Sequence, residues 1–189
     1  AEIALDIGFD QISVSHIIMP LIKIVGRGQT TAVDAYLSPV VFEYIQSVEK
    51  KTGDIPLDFM QSSGGMTDAH NFRGKDAIMS GPAGGVIGAA AVAELNGIGE
   101  AIGFDMGGTS TDVSRYGGEF EKVLEMETAG IHFQTPSLKI NTVAAGGGSI
   151  LWFDGQKMRV GPESAGADPG PVCYGKSGQL ALTDANLLL

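Results

Sequence analysis

Hydrophobic spacing divides the chain into helical and extended stretches. Residues 2–9 carry a short helical pattern that ends near Gly8. In QISVSHIIM (11–19), Ile12, Val14, His16 and Ile18 fall on alternate positions, which predicts a strand. The clearest helix is RGQTTAVDAYLSPVVFEYIQSVEKKTG (27–53). Val33, Leu37, Val40, Val41, Tyr44, Ile45 and Val48 keep to one face, and Gly53 stops it. Pro39 lies inside this pattern. Ser38-Pro39 also fits an N-cap followed by proline at the first helical position, so the stretch is either one helix or two with a break.

PLDFMQS (56–62) predicts a short strand and SSGGM (62–66) a turn at its end. A helix is expected from near Pro82 to Asn96-Gly97, with Ser80 as its cap. Strands follow over 100–105, 111–116 and 119–127, and TPSLKINTVAAGGGS leads into a strand hairpin at 150–160. Prolines and glycines make 161–178 a loop. TDANLLL begins a helix that Thr183 or Asp184 caps. This order of elements predicts an α/β class with a sheet of mixed direction. The absence of an initiator Met and the abrupt end within a helical pattern suggest an internal piece of a longer protein.

Composition narrows the class. Of 189 residues, 43% are hydrophobic and 18% charged, as in a soluble globular protein. The 28 glycines gather at 81–88, 103–118 and 146–178, so they mark particular loops. A net charge of −10 argues against a nucleic-acid footprint and against a polybasic membrane patch. It does not exclude phosphate binding, because backbone N–H groups and a metal ion supply positive charge locally. Cys173 is the single cysteine, which rules out an internal disulfide and fits a reducing, cytoplasmic setting. No apolar run approaches a membrane span.

Four segments carry candidate chemistry. In IGFDMGGTSTDVSRYGG (102–118), a strand ends at Asp105 and turns through Gly107 and Gly108 into another strand. Glycines there allow several N–H groups to converge on one point, an arrangement that binds phosphate oxygens. Thr109, Ser110 and Thr111 add hydroxyls, and Asp105 and Asp112 suit Mg²⁺ or its waters. In SGPAGG (80–85), Gly81, Gly84, Gly85 and the nearby Gly88 open a helix. They serve either an anion at the helix start or close packing of a small-residue face. AAGGGSI (144–150) lets backbone approach a ligand through Gly146, Gly147 and Gly148, or is a flexible connection. GPESAGADPGPVCYG (161–175) brings Glu163, Ser164, Asp168 and Cys173 into one loop. No histidine lies there to activate a nucleophile, so an inert thiol is the favoured reading of Cys173. His16, His70 and His132 lack metal-ligand spacing. LDIGFD (5–10) imitates the first motif but lacks its second glycine and its threonine.

DMGGTSTDVSRY, SGPAGGV, INTVAAGGGS and GPESAGADPGPVCYGKSG together resemble the hydantoinase/oxoprolinase family. RGQTTAVDAYLSP (27–39) and LTDANLLL (182–189) extend the resemblance along essentially the whole chain. INTVAAGGGS and GFDMGGTSTDVSRYGGEFE look closest to the ATP-dependent 5-oxoprolinase branch. Hydantoinase-type members carry His where this chain has Asn141 and Gly where it has Ala144.

The resemblance implies the ribonuclease-H-like ATPase superfold of actin, sugar kinases and heat-shock chaperones, present here in part. Residues 1–97 would be an α/β segment leading into the ATPase core, and 98–189 the subdomain with the second phosphate loop. The first loop would lie outside these residues, so this stretch alone is not expected to be active. The implied reaction is 5-oxo-L-proline + ATP + water → L-glutamate + ADP + phosphate. In it Asp105 holds Mg²⁺, Asp112 and Thr111 complete the turn, and Gly107, Gly108 and Thr109 cradle phosphate. Gly84, Gly85, Gly146, Gly147 and Gly148 border the nucleotide. An ATP-dependent hydantoinase, a ketone carboxylase subunit, and a non-catalytic nucleotide-binding or assembly module are the rival readings. The expected partners are a small cyclic amide and the remainder of the chain or a partner subunit, in a homo-oligomer.

Overall fold

In chain order, the computed structural model contains α1 (Glu2–Ile7), α2 (Ser15–Ile18), α3 (Ile24–Thr52), β1 (Asp58–Met60), β2 (Met66–Asp68), α4 (Gly74–Ala77) and α5 (Ser80–Leu95). There follow β3 (Ala101–Met106), β4 (Thr111–Tyr116), β5 (Lys122–Thr128), β6 (Ile131–Leu138), β7 (Asn141–Val143), β8 (Ser149–Phe153), β9 (Met158–Ser164) and α6 (Leu182–Leu188). The structure describes residues 1–128 and 130–189. They form two compact units, 1–99 with 116–139 and 100–115 with 140–189. Where the sequence suggested one boundary at 97/98, the chain instead leaves the first unit after Gly99, rejoins it at Tyr116 and leaves again after Lys139.

In the first unit, α3 is the organising element. Ile45 packs with Ala69 and Phe72, and Val41, Phe42, Leu57 and Phe59 close around them. Phe59 stacks on Phe72 at 5.3 Å between ring centroids. α3 runs unbroken through Pro39, so the two-helix alternative does not hold. A proline inside a helix costs about 3 kcal/mol, and tertiary contacts hold this one in place. The Gly74 N–H donates to Ser38 Oγ at 3.1 Å, and the Lys75 N–H donates to the buried Asp34 carboxylate at 3.2 Å. The start of α4 is thereby fixed against the turn that precedes Pro39.

Residues 11–19 are not the expected strand. They form an extended lead into the helical turn α2, packed along α3. Among the described residues, these alternating positions enter no strand ladder. The Ser13 hydroxyl instead donates to Asp34 at 2.7 Å.

Three strands were not anticipated: β2, β6 and β7. β2 returns antiparallel to β1 through the 62–65 turn. β6 pairs antiparallel with β5 despite Pro136. The register shifts between Val123 and Glu125, so Leu124 faces two residues, Thr135 and Pro136. A proline lacks the N–H that a ladder needs, and a bulge is where that lack is tolerated. Ser80 does not cap α5 but is its first residue. The N–H of the preceding Met79 goes to the buried Ser62 Oγ at 3.0 Å.

The second unit holds a three-stranded sheet in the order β3-β4-β7, a β8-β9 hairpin and α6. Segment 161–178 is largely irregular as expected, although β9 occupies its first residues.

Candidate functional site

The turn between β3 and β4 is closed by the Gly107 N–H donating to the Ser110 carbonyl at 2.9 Å. A connection this short joins only antiparallel neighbours. Asp105, Gly107, Gly108 and Thr109 are all exposed. The Asp105 carboxylate takes no hydrogen bond or ion pair among the described residues. By strand alternation it lies on the face opposite Ile102, Phe104 and Met106. Asp112 is half-buried on β4 and accepts the Thr142 hydroxyl at 2.6 Å, opposite which it lies in the β4–β7 ladder.

The 144–149 loop lies against the back of this turn. The Gly147 N–H donates to the Gly107 carbonyl at 2.9 Å, and the Gly148 N–H to the Gly108 carbonyl at 2.6 Å. In a planar trans peptide, C=O and N–H point in opposite directions. With both carbonyls held backward, the Gly108 and Thr109 N–H groups face forward, and no hydrogen bond among the described residues uses them. A nest with two free donors and a nearby carboxylate is the geometry expected of a phosphate site with a hard cation. Oxygen donors suit Mg²⁺, which is usually held by one or two carboxylates together with substrate phosphates and waters. No group of three His, Cys, Asp or Glu suited to a metal exists among the described residues, so an all-protein metal cage is not what this site offers.

Gly146, Gly147 and Gly148 join the turn, but in a supporting role. The Gly146 N–H goes to Ser149 Oγ at 3.0 Å, so all three N–H groups are engaged inside the unit. Each residue is glycine for a separate steric reason. A Cβ on Gly146 would lie 2.7 Å from the backbone of Gly108 and Thr109. One on Gly147 would lie 2.6 Å from Thr183 Oγ1, and one on Gly148 would lie 2.8 Å from Ser164 Oγ. Thr111 is likewise buried, its hydroxyl donating to the Ala145 carbonyl at 2.6 Å. It ties loop to strand and does not present a free donor.

Gly84 and Gly85 belong to α5, in the other unit. The buried face of α5 is Ala83, Val86, Ala90 and Ala93. A Cβ added at Gly81, Gly84 or Gly88 meets nothing within 4 Å. Packing inside the unit therefore does not explain these glycines.

Neither Thr183 nor Asp184 is the N-cap of α6: Ala181 is, and Asp184 lies in the first turn, where its carboxylate reaches back. Asp184 accepts N–H groups from Ala181 at 2.8 Å, Cys173 at 2.8 Å and Val172 at 3.2 Å. Burial pushes its pKa up, but these donors and the Cys173 thiol outweigh it and bring it to about 2. The same bond to Asp184, with burial and the carboxylate charge, raises the Cys173 pKa. The thiol is exposed yet held protonated, which agrees with an inert role.

In the first unit, a cavity of about 440 Å³ between α3 and the β5–β6 hairpin is lined by Gly26, Gln29, Glu125, His132 and Gln134. It contains none of the expected site residues.

A family model described as Hydantoinase/oxoprolinase matches residues 27–189. A 5-oxoprolinase of Dictyostelium discoideum is 53% identical over 100% of this chain and 16% of its own length. The chain thus spans about a sixth of that relative. The crystal structure of an ATP-dependent caprolactamase from Pseudomonas jessenii is 38% identical with a TM-score of 0.72, covering 94% of this chain and 27% of its own. A nucleotide-free acetone carboxylase is 28% identical with a TM-score of 0.75, covering 93% and 26%. The chain shares its fold with both and has the expected α/β, actin-like ATPase architecture in part.

Proposed function

Since the chain belongs to the hydantoinase/oxoprolinase family, we propose that the full-length protein couples ATP to the opening of a cyclic amide, 5-oxo-L-proline + ATP + two waters → L-glutamate + ADP + phosphate. The observation that carries the ATP half is the β3–β4 turn, whose carbonyls are held back while the Gly108 and Thr109 N–H groups stay free. The likeness to a 5-oxoprolinase along the whole chain supports the choice of lactam.

A lactam is a poor electrophile. Transfer of the γ-phosphoryl group to its carbonyl oxygen makes the ring carbon electrophilic. Water adds there, the ring C–N bond breaks as the nitrogen takes up a proton, and a second water hydrolyses the resulting acyl phosphate to carboxylate and phosphate. Phosphoryl transfer needs positioning and charge stabilisation more than covalent help. The Gly108 and Thr109 N–H groups orient phosphate oxygens, and Gly107 closes the turn. Asp105 would hold a Mg²⁺ ion directly or through water, and the ion when bound offsets phosphate charge. Asp112, braced by Thr142, contributes negative charge on the strand that leaves the turn.

The likeness to a caprolactamase and an acetone carboxylase supports a second reading, in which the same ATP-dependent activation serves another lactam, a hydantoin or a ketone. Purified full-length protein should release glutamate from 5-oxo-L-proline only with ATP present. Absence of ATP-dependent glutamate, with turnover of hydantoin or caprolactam instead, would replace the first substrate by the second class. Loss of Mg-ATP binding in Asp105→Ala is expected. Unchanged binding in a folded variant would remove the turn from the nucleotide site.

A further inference from the structure

The Gly147 carbonyl is held twice by one residue of α6. Thr183 donates to it through its backbone N–H at 2.8 Å and through Oγ1 at 2.8 Å. Gly147 C=O and Gly148 N–H belong to one peptide plane. On the far side of that plane, the Gly148 N–H donates to Gly108 C=O. The Gly108 carbonyl in turn shares its plane with the Thr109 N–H. A continuous line of donors and acceptors therefore runs from the Thr183 hydroxyl through two peptide units to the free Thr109 N–H. Hydrogen bonds in such a chain polarise one another. The anchor of the line is firm, because the next residue, Asp184, binds three N–H groups of the surrounding loop.

We propose that Thr183 is a positioning residue for phosphate: its hydroxyl fixes the plane of the 147–148 peptide and so aims and strengthens the Thr109 N–H. This rests on the reading of the β3–β4 turn as a phosphate loop. Thr183 touches neither the turn nor any ligand on it directly, and it acts only through Gly147, Gly148 and Gly108.

The test uses full-length protein with two probes, Mg-ATP and adenosine, which lacks the phosphates. Thr183→Val keeps the shape and removes the donor. It should weaken Mg-ATP binding by about fivefold, the factor for one neutral hydrogen bond, and leave adenosine binding unchanged. Thr183→Ser should return Mg-ATP binding to within about twofold of the parent. Thr183→Ala asks the same question without added bulk if Thr183→Val does not fold. Equal losses for both probes, no loss for Mg-ATP, or no rescue by serine would each overturn the proposal. Asp105→Ala separates the two layers of the argument. If it weakens Mg-ATP binding while Thr183→Val does not, the relay alone is wrong. If it has no effect in folded protein, the phosphate-loop reading fails and the relay falls with it.

Discussion

Replacing Gly146 by alanine asks whether the glycine loop truly supports the turn. Gly146 is buried, and its φ lies outside the left-handed region, so alanine meets no backbone strain there. The cost is steric alone. The added carbon would sit 2.7 Å from Gly108 C, Gly108 O and Thr109 N. Ordinary carbon contacts lie at about 3.5–4.0 Å, so the turn must retreat by about 0.8 Å or distort. Overpacking of this kind costs about 1–3 kcal/mol. It acts on the two residues whose N–H groups are free, so Mg-ATP affinity should fall by about tenfold or more. Tenfold corresponds to about 1.4 kcal/mol of lost ligand-dependent stabilisation at saturation. The assay is thermal unfolding of the full-length protein with and without Mg-ATP. Gly88→Ala is the control: its added carbon meets nothing within 4 Å on α5, and it should stabilise by about 0.5–1 kcal/mol. If Gly146→Ala melts like the parent and keeps the full Mg-ATP increment, the packing argument is refuted.

Two further outcomes concern the start of α6. The folded pKa of Asp184, about 2, lies below the ordinary value near 3.9, so folding favours the carboxylate; its contribution should be complete above about pH 4 and decline as pH falls toward 2. Urea midpoints of the parent and Asp184→Asn should therefore differ most near neutrality and converge below pH 3, and a constant difference across that range would contradict the assignment. Cys173 is exposed but its thiol is held protonated by Asp184, so at pH 7.5 it should alkylate with iodoacetamide more slowly than free cysteine and faster in Asp184→Asn; alkylation faster than free cysteine would show that the thiol is activated.

Long elements with one clear period were legible. α3, β3 and β4 were placed from the spacing of residues, but which face is buried was not. The buried positions of α3 are Thr30, Asp34, Ser38 and Ile45, while Val40 and Tyr44 of the apolar stripe and Ile102 and Phe104 of β3 are exposed. The failures have a common physical cause. Residues 11–19 alternate like a strand, but a strand exists only where a ladder partner is present, and the partner here is a helix. Pro136 hides β6 because proline is usually read as a strand breaker, and only the register of β5 shows that it falls on a bulge. Pro39 invited a break in α3 that the contacts of Gly74 and Lys75 on Ser38 and Asp34 prevent. Each of these depends on residues distant in the chain, which local pattern does not report.

The site divides along the same line. Asp105, Gly107, Gly108 and Thr109 are close in sequence, and their chemistry could be read together. A run of three glycines gives the same signal whether its N–H groups await a ligand or are already engaged. The direction of each peptide plane decides, and that direction is set from Thr183, 36 residues beyond Gly147. The two groups should therefore respond to different substitutions. Residues of the exposed turn meet charge, so removing a carboxylate or blocking an N–H should act on phosphate binding with little effect on folding. Residues of the support meet packed backbone, so added bulk should disturb them even though no charge changes. Thr111 falls in the second group: its hydroxyl is bound to the Ala145 carbonyl. Its place in the motif reflects the need to fasten the glycine loop to β4, since without that fastening the carbonyls of Gly107 and Gly108 would be free to turn and the two outward donors would lose their common direction.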